Sequence, residues 1–431
     1  MIKIEELNKL NESYKKDKSN VVLNRMLNKV PLVELITDKD TEFDSNFNVE
    51  IKTHGIVNQN NTGRCWAFAG LNVLREEVIK KCNLDKFELS GSYIAFYDKI
   101  ERFNKKMEDI IKYKNEGKDL YDKYISYILK NGIKDGGWFT GFANLVDKYG
   151  VVPSSIFPET YQSSNTYEVN EILSRLLRKF YLEIEKTKDD VELVKKKYFE
   201  MAYKVITSVY GIPSESFDFE YVDKNGQYHI DKDLNPKMFY DKYIGLNLLN
   251  DYVEIGSYED SKYKYGNVYE FECTSRMSEA HDLRLLNLKN DDVKKLIVKQ
   301  LKSGELVPFY SSTTFKRVDG VWIDIMDRYS DIFNVNLRLE NNDIIKTNAR
   351  TGEHAMLFTG VKIKDDKTIK WKIENSWGTS RGNNGEYIAA DDWVDKYVYT
   401  AIINKKHLNN EQLNCLGKEV IKIDKWDAKL D

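Results

Sequence analysis

The chain is poor in the residues that staple small proteins or hold metals. Only four cysteines (Cys65, Cys82, Cys273 and Cys415) occur in 431 residues, too few for a disulfide framework. His54, His229, His281 and His407 stand apart from one another, and "GEHAM" around His354 is not a His-Glu-x-x-His zinc helix. "IKDGG" and "DKNGQ" lack the strand–loop–helix glycine pattern of a nucleotide site. No metal and no cofactor are therefore expected. No stretch approaches the ~18 consecutive apolar residues of a membrane span, so no membrane association is expected either. Charge of one sign is also missing: 66 Lys+Arg face 69 Asp+Glu, a formal net charge of −3. Basic runs such as Lys195–Lys197 are interleaved with acids and read as solvated helix faces, which argues against nucleic-acid binding. The opening "MIKIEELNKLNESYKKDKSN" carries no apolar run of the signal-peptide kind. The expected compartment is the reducing cytoplasm, where a free thiol persists.

What is present is a chain that is 41% hydrophobic, long enough for more than one packing unit. Residues 1–57 read as an extension with two short polar helices. "CWAFAGLNVLREEVIKK" from Cys65 has apolar residues at helical spacing and Lys80-Lys81 at its end, predicting a half-buried helix. A second helix is expected in "FTGFANLVDKYG", stopping at Gly150. Residues 58–169 thus form a helical lobe. From 170 to 303 the sequence is charged and reads as a mainly helical insertion, with helices near 171–186, 190–209, 236–242 and 290–303. Residues 304–412 turn to strands: "HAMLFTGVKI" and the alternating "TIKWKIENSW" flank "KDDK" as an antiparallel pair. Residues 413–431 form a tail. A cleft is expected where the helical and sheet-rich parts meet.

The chemistry centres on "NTGRCWAFAG", which puts Cys65 at a helix start. A thiol of pKa about 8.5 is mostly protonated at neutral pH, and a helix N-terminus and a nearby imidazolium both lower that value. His354 opens a strand far along the chain, and Asn375 lies across the hairpin from it, where a side-chain oxygen can accept the ring proton. Gln59 precedes Cys65 by a short loop and can aim an amide at a carbonyl oxygen under attack. Nucleophile, base, orienting group and oxyanion donor are all available. Gly136-Gly137 reads as either a turn or an exposed backbone edge, and Trp377 reads as packing.

These segments resemble a known family. "QNNTGRCWAFA" is similar to the nucleophile motif of papain-like cysteine peptidases, "EHAMLFTGV" to their histidine segment and "ENSWGTSRGNNGEY" to their Asn-Ser-Trp-Gly segment. Within them the chain resembles the bleomycin hydrolase/aminopeptidase C family. It shares the arginine before the cysteine, the large insertion, "DGG" before a helix, "KYGVVP…FPE" and a C-terminal Trp-Asp, here Trp426-Asp427. The resemblance implies an α+β, two-lobed papain-like fold with a helical insertion, and a thiol peptidase acting on short peptides, removing N-terminal residues through an acyl-enzyme. It implies Cys65 as nucleophile, His354 as base and acid, Asn375 as orienting residue and Gln59 in the oxyanion hole. It further implies Gly136 and Gly137 pairing with an extended substrate, Trp377 shielding the His–Asn pair, and six subunits in a ring. In such relatives the C-terminal segment enters the cleft and meets the substrate amine, a role that falls here to Asp431. Only "AKLD" follows Trp-Asp, so an oligopeptide endopeptidase with a shortened gate is the alternative expectation. A nucleic-acid-binding or regulatory protein on a peptidase body is another.

Overall fold

A computed structural model of the protein describes all residues except 37–44, 187–189, 259–261, 315–316, 319, 351 and 428–431. Among the described residues, no helix is long and apolar enough to cross a membrane.

The helix Cys65–Cys82 runs through the middle of the molecule. Thirteen of its 18 residues are buried, from Cys65 to Leu71 without interruption. It is not the half-buried helix expected, because helices pack on one side and a sheet on the other, leaving it no solvent face in its first two turns. Asn83, in the left-handed conformation at φ 50°, ends it by donating its N–H to the Ile79 carbonyl. The long helix Gly91–Asn115, capped by Ser90, and the helices Lys123–Asn131 and Phe139–Tyr149 surround it. Gly150 stops the last of these at φ 70°; a Cβ there would stand 2.4 Å from the Pro236 carbonyl oxygen, so only glycine fits.

Helices Tyr167–Lys186 and Val191–Tyr210 follow, burying Leu173, Leu177, Phe180 and Ile184 against Val194, Tyr198, Ala202 and Ile206. A hairpin, Phe217–Val222 with Tyr228–Leu234, and the helix Pro236–Tyr243 complete this region. Helices Tyr167–Lys186, Val191–Tyr210, Pro236–Tyr243 and Asn290–Lys302 lie where helices were expected in residues 170–303, but the region also supplies strands that were not expected. Strands Tyr252–Gly256, Val268–Phe271 and Leu283–Asn287 belong to the large sheet. They went unread because central strands are buried on both faces and do not alternate, and because Glu254 and Glu270 are buried acids. Helix Asn290–Lys302 then returns across the sheet.

The sheet has 12 strands among the described residues. At its centre, Val307–Ser311 lies between Val398–Asn404 and His354–Lys364, and the latter pairs with Lys367–Glu374. The turn of that hairpin is Asp365-Asp366 at φ 50° and 57°, the primed geometry that matches strand twist. Register sets His354 opposite Ser311 and Leu357 opposite Glu374. The base therefore opens one strand while Asn375 follows directly on the end of its neighbour. The remaining link is a buried one: Asn72 donates to Glu374 at 2.9 Å and the Arg75 guanidinium lies 3.3 Å from the same carboxylate, fastening the central helix to the sheet.

Candidate active site

Cys65 begins the central helix and is 9% exposed as a residue. Burial pushes the thiol pKa up; hydrogen bonds from the backbone N–H groups of Ala355, Trp66 and Cys65 itself pull against that rise. The Ala355 amide is next to His354, so the thiol sits at the head of the histidine strand.

His354 is buried, and its Nε2 lies 2.8 Å from Asn375 Oδ1. That oxygen can only accept, so Nε2 carries the proton and Nδ1 is left as the ring's basic nitrogen. Burial lowers the imidazole pKa to about 4, against the opposing pull of Asn375. A dry site thus opposes charge on either partner alone. Proton transfer from thiol to imidazole places two opposite charges side by side, which offsets the desolvation of both. Trp377 stacks on the imidazole with centroids 4.9 Å apart.

Gln59 is held from both ends. Its Oε1 accepts from Ser376 Oγ at 2.6 Å and its Nε2 donates to the Thr62 carbonyl at 2.6 Å. A hydroxyl donor on one side and a carbonyl on the other fix which end is oxygen, and the second Nε2 hydrogen is left to point elsewhere. The backbone N–H of Gln59 donates to the Ser376 carbonyl at 2.9 Å, so the Asn375–Trp377 segment and the Gln59 loop are stitched together.

Gly136 and Gly137 line a cavity of about 430 Å³ beside Trp138 and Arg276. Neither has positive φ; the requirement at Gly137 is steric, since a Cβ there would fall 1.9 Å from the Arg276 guanidinium. Their backbone is braced from below. Arg102 donates to the carbonyls of Gly136 (3.0 Å) and Asp135 (3.3 Å), and Arg102 and Arg276 share Asp98. Arg276 also lies over the Trp66 ring at 4.4 Å.

Sequence reasoning assigned no role to Asp135, which joins this network to the nucleophile loop. It pairs with Lys99 at 2.5 Å and accepts from the Gly63 N–H at 3.0 Å, from Asn170 at 2.9 Å and from Thr166. Burial alone would raise its pKa, but Lys99 and these donors hold it well below the usual carboxylate range. Its carbonyl takes the indole N–H of Trp66 at 2.8 Å. Arg64, 2% exposed, makes a two-pronged contact with Glu159 at 2.9 and 3.1 Å and anchors the residue before Cys65. The "DGG", "FPE" and "NSW" segments were the available signals for Asp135, Glu159 and Ser376.

The tail arrives at the same cavity. Trp426 meets the rings of Tyr124 (4.9 Å) and Tyr127 (5.8 Å), Lys123 pairs with Asp424 at 2.6 Å, and Tyr263 donates to the Asp427 carbonyl at 2.8 Å. Lys425 lines the cavity wall. Asp431 lies outside the described residues.

A helical lobe presenting a cysteine at a helix start, against a sheet lobe presenting a histidine–asparagine pair, defines a papain-like cysteine peptidase. The family described as "Peptidase C1-like family" matches residues 1–429. Aminopeptidase C of Lactobacillus helveticus is 37% identical over 84% of this chain and 82% of its own. Bleomycin hydrolase of Rattus norvegicus is 31% identical over 86% and 85%. The crystal structure of pepw from Lactobacillus rhamnosis superposes with a TM-score of 0.89 at 31% identity, covering 99% of this chain and 98% of that one. The chain belongs to the Peptidase C1-like family and is a cysteine peptidase of its aminopeptidase C/bleomycin hydrolase branch.

Proposed function

We propose that the enzyme is a cytoplasmic aminopeptidase that removes N-terminal residues from short peptides by acyl transfer through Cys65. The observation that carries this reading is the pairing of His354 Nε2 with Asn375 at 2.8 Å, with His354 on a strand packed against the helix that Cys65 opens. In the first step Nδ1 of His354 takes the thiol proton and sulfur attacks the peptide carbonyl. Negative charge then develops on that oxygen, where the Gln59 amide and the Cys65 backbone N–H stabilise it. His354 returns the proton to the departing amine, leaving a thioester. Water, activated by the same nitrogen, hydrolyses the thioester and restores the thiol.

Gly136 and Gly137 hold the substrate backbone on the non-primed side. The tail, anchored at Trp426, flanks that side. A ring of six subunits is part of the same proposal. It is supported by the helices Ile4–Lys16 and Lys18–Leu27, which bury none of their residues and leave Ile4, Leu7, Leu10, Val22 and Met26 exposed.

The test is a matched panel of free-amine, N-acetylated and longer peptides. The expected result is rapid release of N-terminal residues from free-amine substrates and slow cleavage of blocked ones. Equal cleavage of both, or internal cuts in longer peptides, would replace the aminopeptidase reading with the endopeptidase one. Sedimentation showing only monomer at micromolar protein would remove the ring.

A further inference from the structure

A second cavity, of about 670 Å³, shares no lining residue with the one at Gly136 and Gly137. Gln59, Asn60, Trp377, Ser380 and Arg381 are on its walls, together with Gly63 and Asp135. Its lining is mostly neutral amides and hydroxyls, with two charged residues among them. Asp135 is already satisfied by Lys99, the Gly63 N–H, Thr166 and Asn170. Arg381 is exposed, and its guanidinium makes no ion pair or hydrogen bond among the described residues. Its contact is with the Trp377 ring, whose centroid lies 5.9 Å away. The cavity thus has one charge without a counter-charge, and that charge is positive.

Two contacts join this cation to the base. Arg381 lies on Trp377, and Trp377 stacks on His354 at 4.9 Å. His354 gives its proton to the departing amine, so the leaving part of the peptide begins beside the imidazole. The acyl part lies against Gly136 and Gly137, which leaves the Trp377 side for the leaving group. Two extended residues carry a terminal carboxylate about 7 Å onward, and a hydrogen bond spans about 3 Å more. That reach is comparable with the two contact steps from imidazole to guanidinium.

We infer that Arg381 binds the C-terminal carboxylate of a tripeptide substrate and so favours peptides of that length. This rests on the aminopeptidase reading and adds to it the recognition of the leaving dipeptide. A guanidinium can take a carboxylate through two parallel hydrogen bonds, and the indole face beneath it favours the cation in that place. Because Arg381 is exposed, salt screens the pair and the contribution is modest. It sets preference among substrates rather than the chemical rate.

The experiment compares Leu-Gly-Gly with its C-terminal amide on the full chain, as wild type, Arg381→Gln and Arg381→Lys. Wild type is expected to favour the free acid by about fivefold in kcat/KM, chiefly through KM, and less so at high salt. Arg381→Gln should bring the acid down to the level of the amide while the amide stays within about twofold of wild type. Arg381→Lys should keep part of the preference, since the charge remains but the fork is lost. Equal losses on acid and amide would mark a structural role on Trp377 and overturn the inference. No wild-type preference for the acid, or one that survives Arg381→Gln, would overturn it as well and leave the aminopeptidase reading standing. N-acetyl-Leu-Gly-Gly in the same panel tests that reading: cleavage as fast as that of the free-amine peptide would overturn it, and the inference with it.

Discussion

The two walls of the cleft are built by opposite means. The wall that carries Cys65 is held by buried charge: Asp135 with Lys99, Arg102 and Arg276 with Asp98, and Arg64 with Glu159. The wall that carries His354 is held by strand register, the stacked Trp377 and one neutral hydrogen bond to Asn375. The difference follows from the backbone each side must hold. A strand satisfies its own N–H and C=O groups through its neighbours. The loops around Gly63 and Gly136 have no ladder, so charged side chains supply their partners. The nucleophile wall should therefore be sensitive to loss of charge, and the histidine wall to loss of shape.

The largest expected effect on rate is on the histidine wall. His354→Ala should lower kcat by about 1,000-fold or more, because it removes the only group assigned to move a proton. Asn375→Ala should cost about 10- to 100-fold, since the ring remains and only its tautomer and orientation are lost. An Asn375→Ala loss as large as that of His354→Ala, in equally stable proteins, would make the asparagine more than an orienting residue.

On the other wall, Asp135→Asn leaves Lys99 buried at 1% side-chain exposure without its counter-charge. The expected cost is about 3–5 kcal/mol of unfolding free energy, read by denaturant titration, with KM rising as the Gly63 and Gly136 loops loosen. A change below about 1 kcal/mol would mean that the charge network does not hold this wall.

The same network explains how much was legible in advance. Cys65, Gln59, His354 and Asn375 stood out because each sits inside a short local motif. The hairpin at Asp365-Asp366 was equally local. Lys99 and Asp135 are 36 residues apart, and nothing in either segment indicates that they meet in a dry interior. The strands between Tyr252 and Asn287 were missed for a related reason. Glu254 reads as a surface residue, but the fold places it inside, accepting from the N–H and hydroxyl of Thr140 at the start of the helix behind Gly137.

Glu254 also gives the smallest effect on rate and a distinct pH signature. Burial raises its pKa to about 8, against the hydrogen bonds from the Thr140 N–H and hydroxyl. Between the unfolded value of about 4.5 and that of the native state, the native protein keeps a proton that the unfolded chain has released. Stability from this group is therefore present at low pH and falls as pH rises through that window, by about 1.4 kcal/mol per unit at most. Glu254→Gln should flatten the slope of stability against pH while leaving kcat/KM within about threefold of wild type. An unchanged slope would show that the carboxyl is ionised in the native protein.

The central claim, that Cys65 is the atom to which substrate becomes attached, is tested most directly by trapping the acyl-enzyme. The enzyme is mixed with an aminoacyl ester, quenched in acid within a turnover and digested for mass spectrometry. The account predicts one aminoacyl group in thioester linkage, confined to the peptide containing Cys65 and absent from Cys65→Ala. Acylation on Cys82, Cys273 or Cys415, or full turnover by a well-folded Cys65→Ala free of wild type, would contradict it.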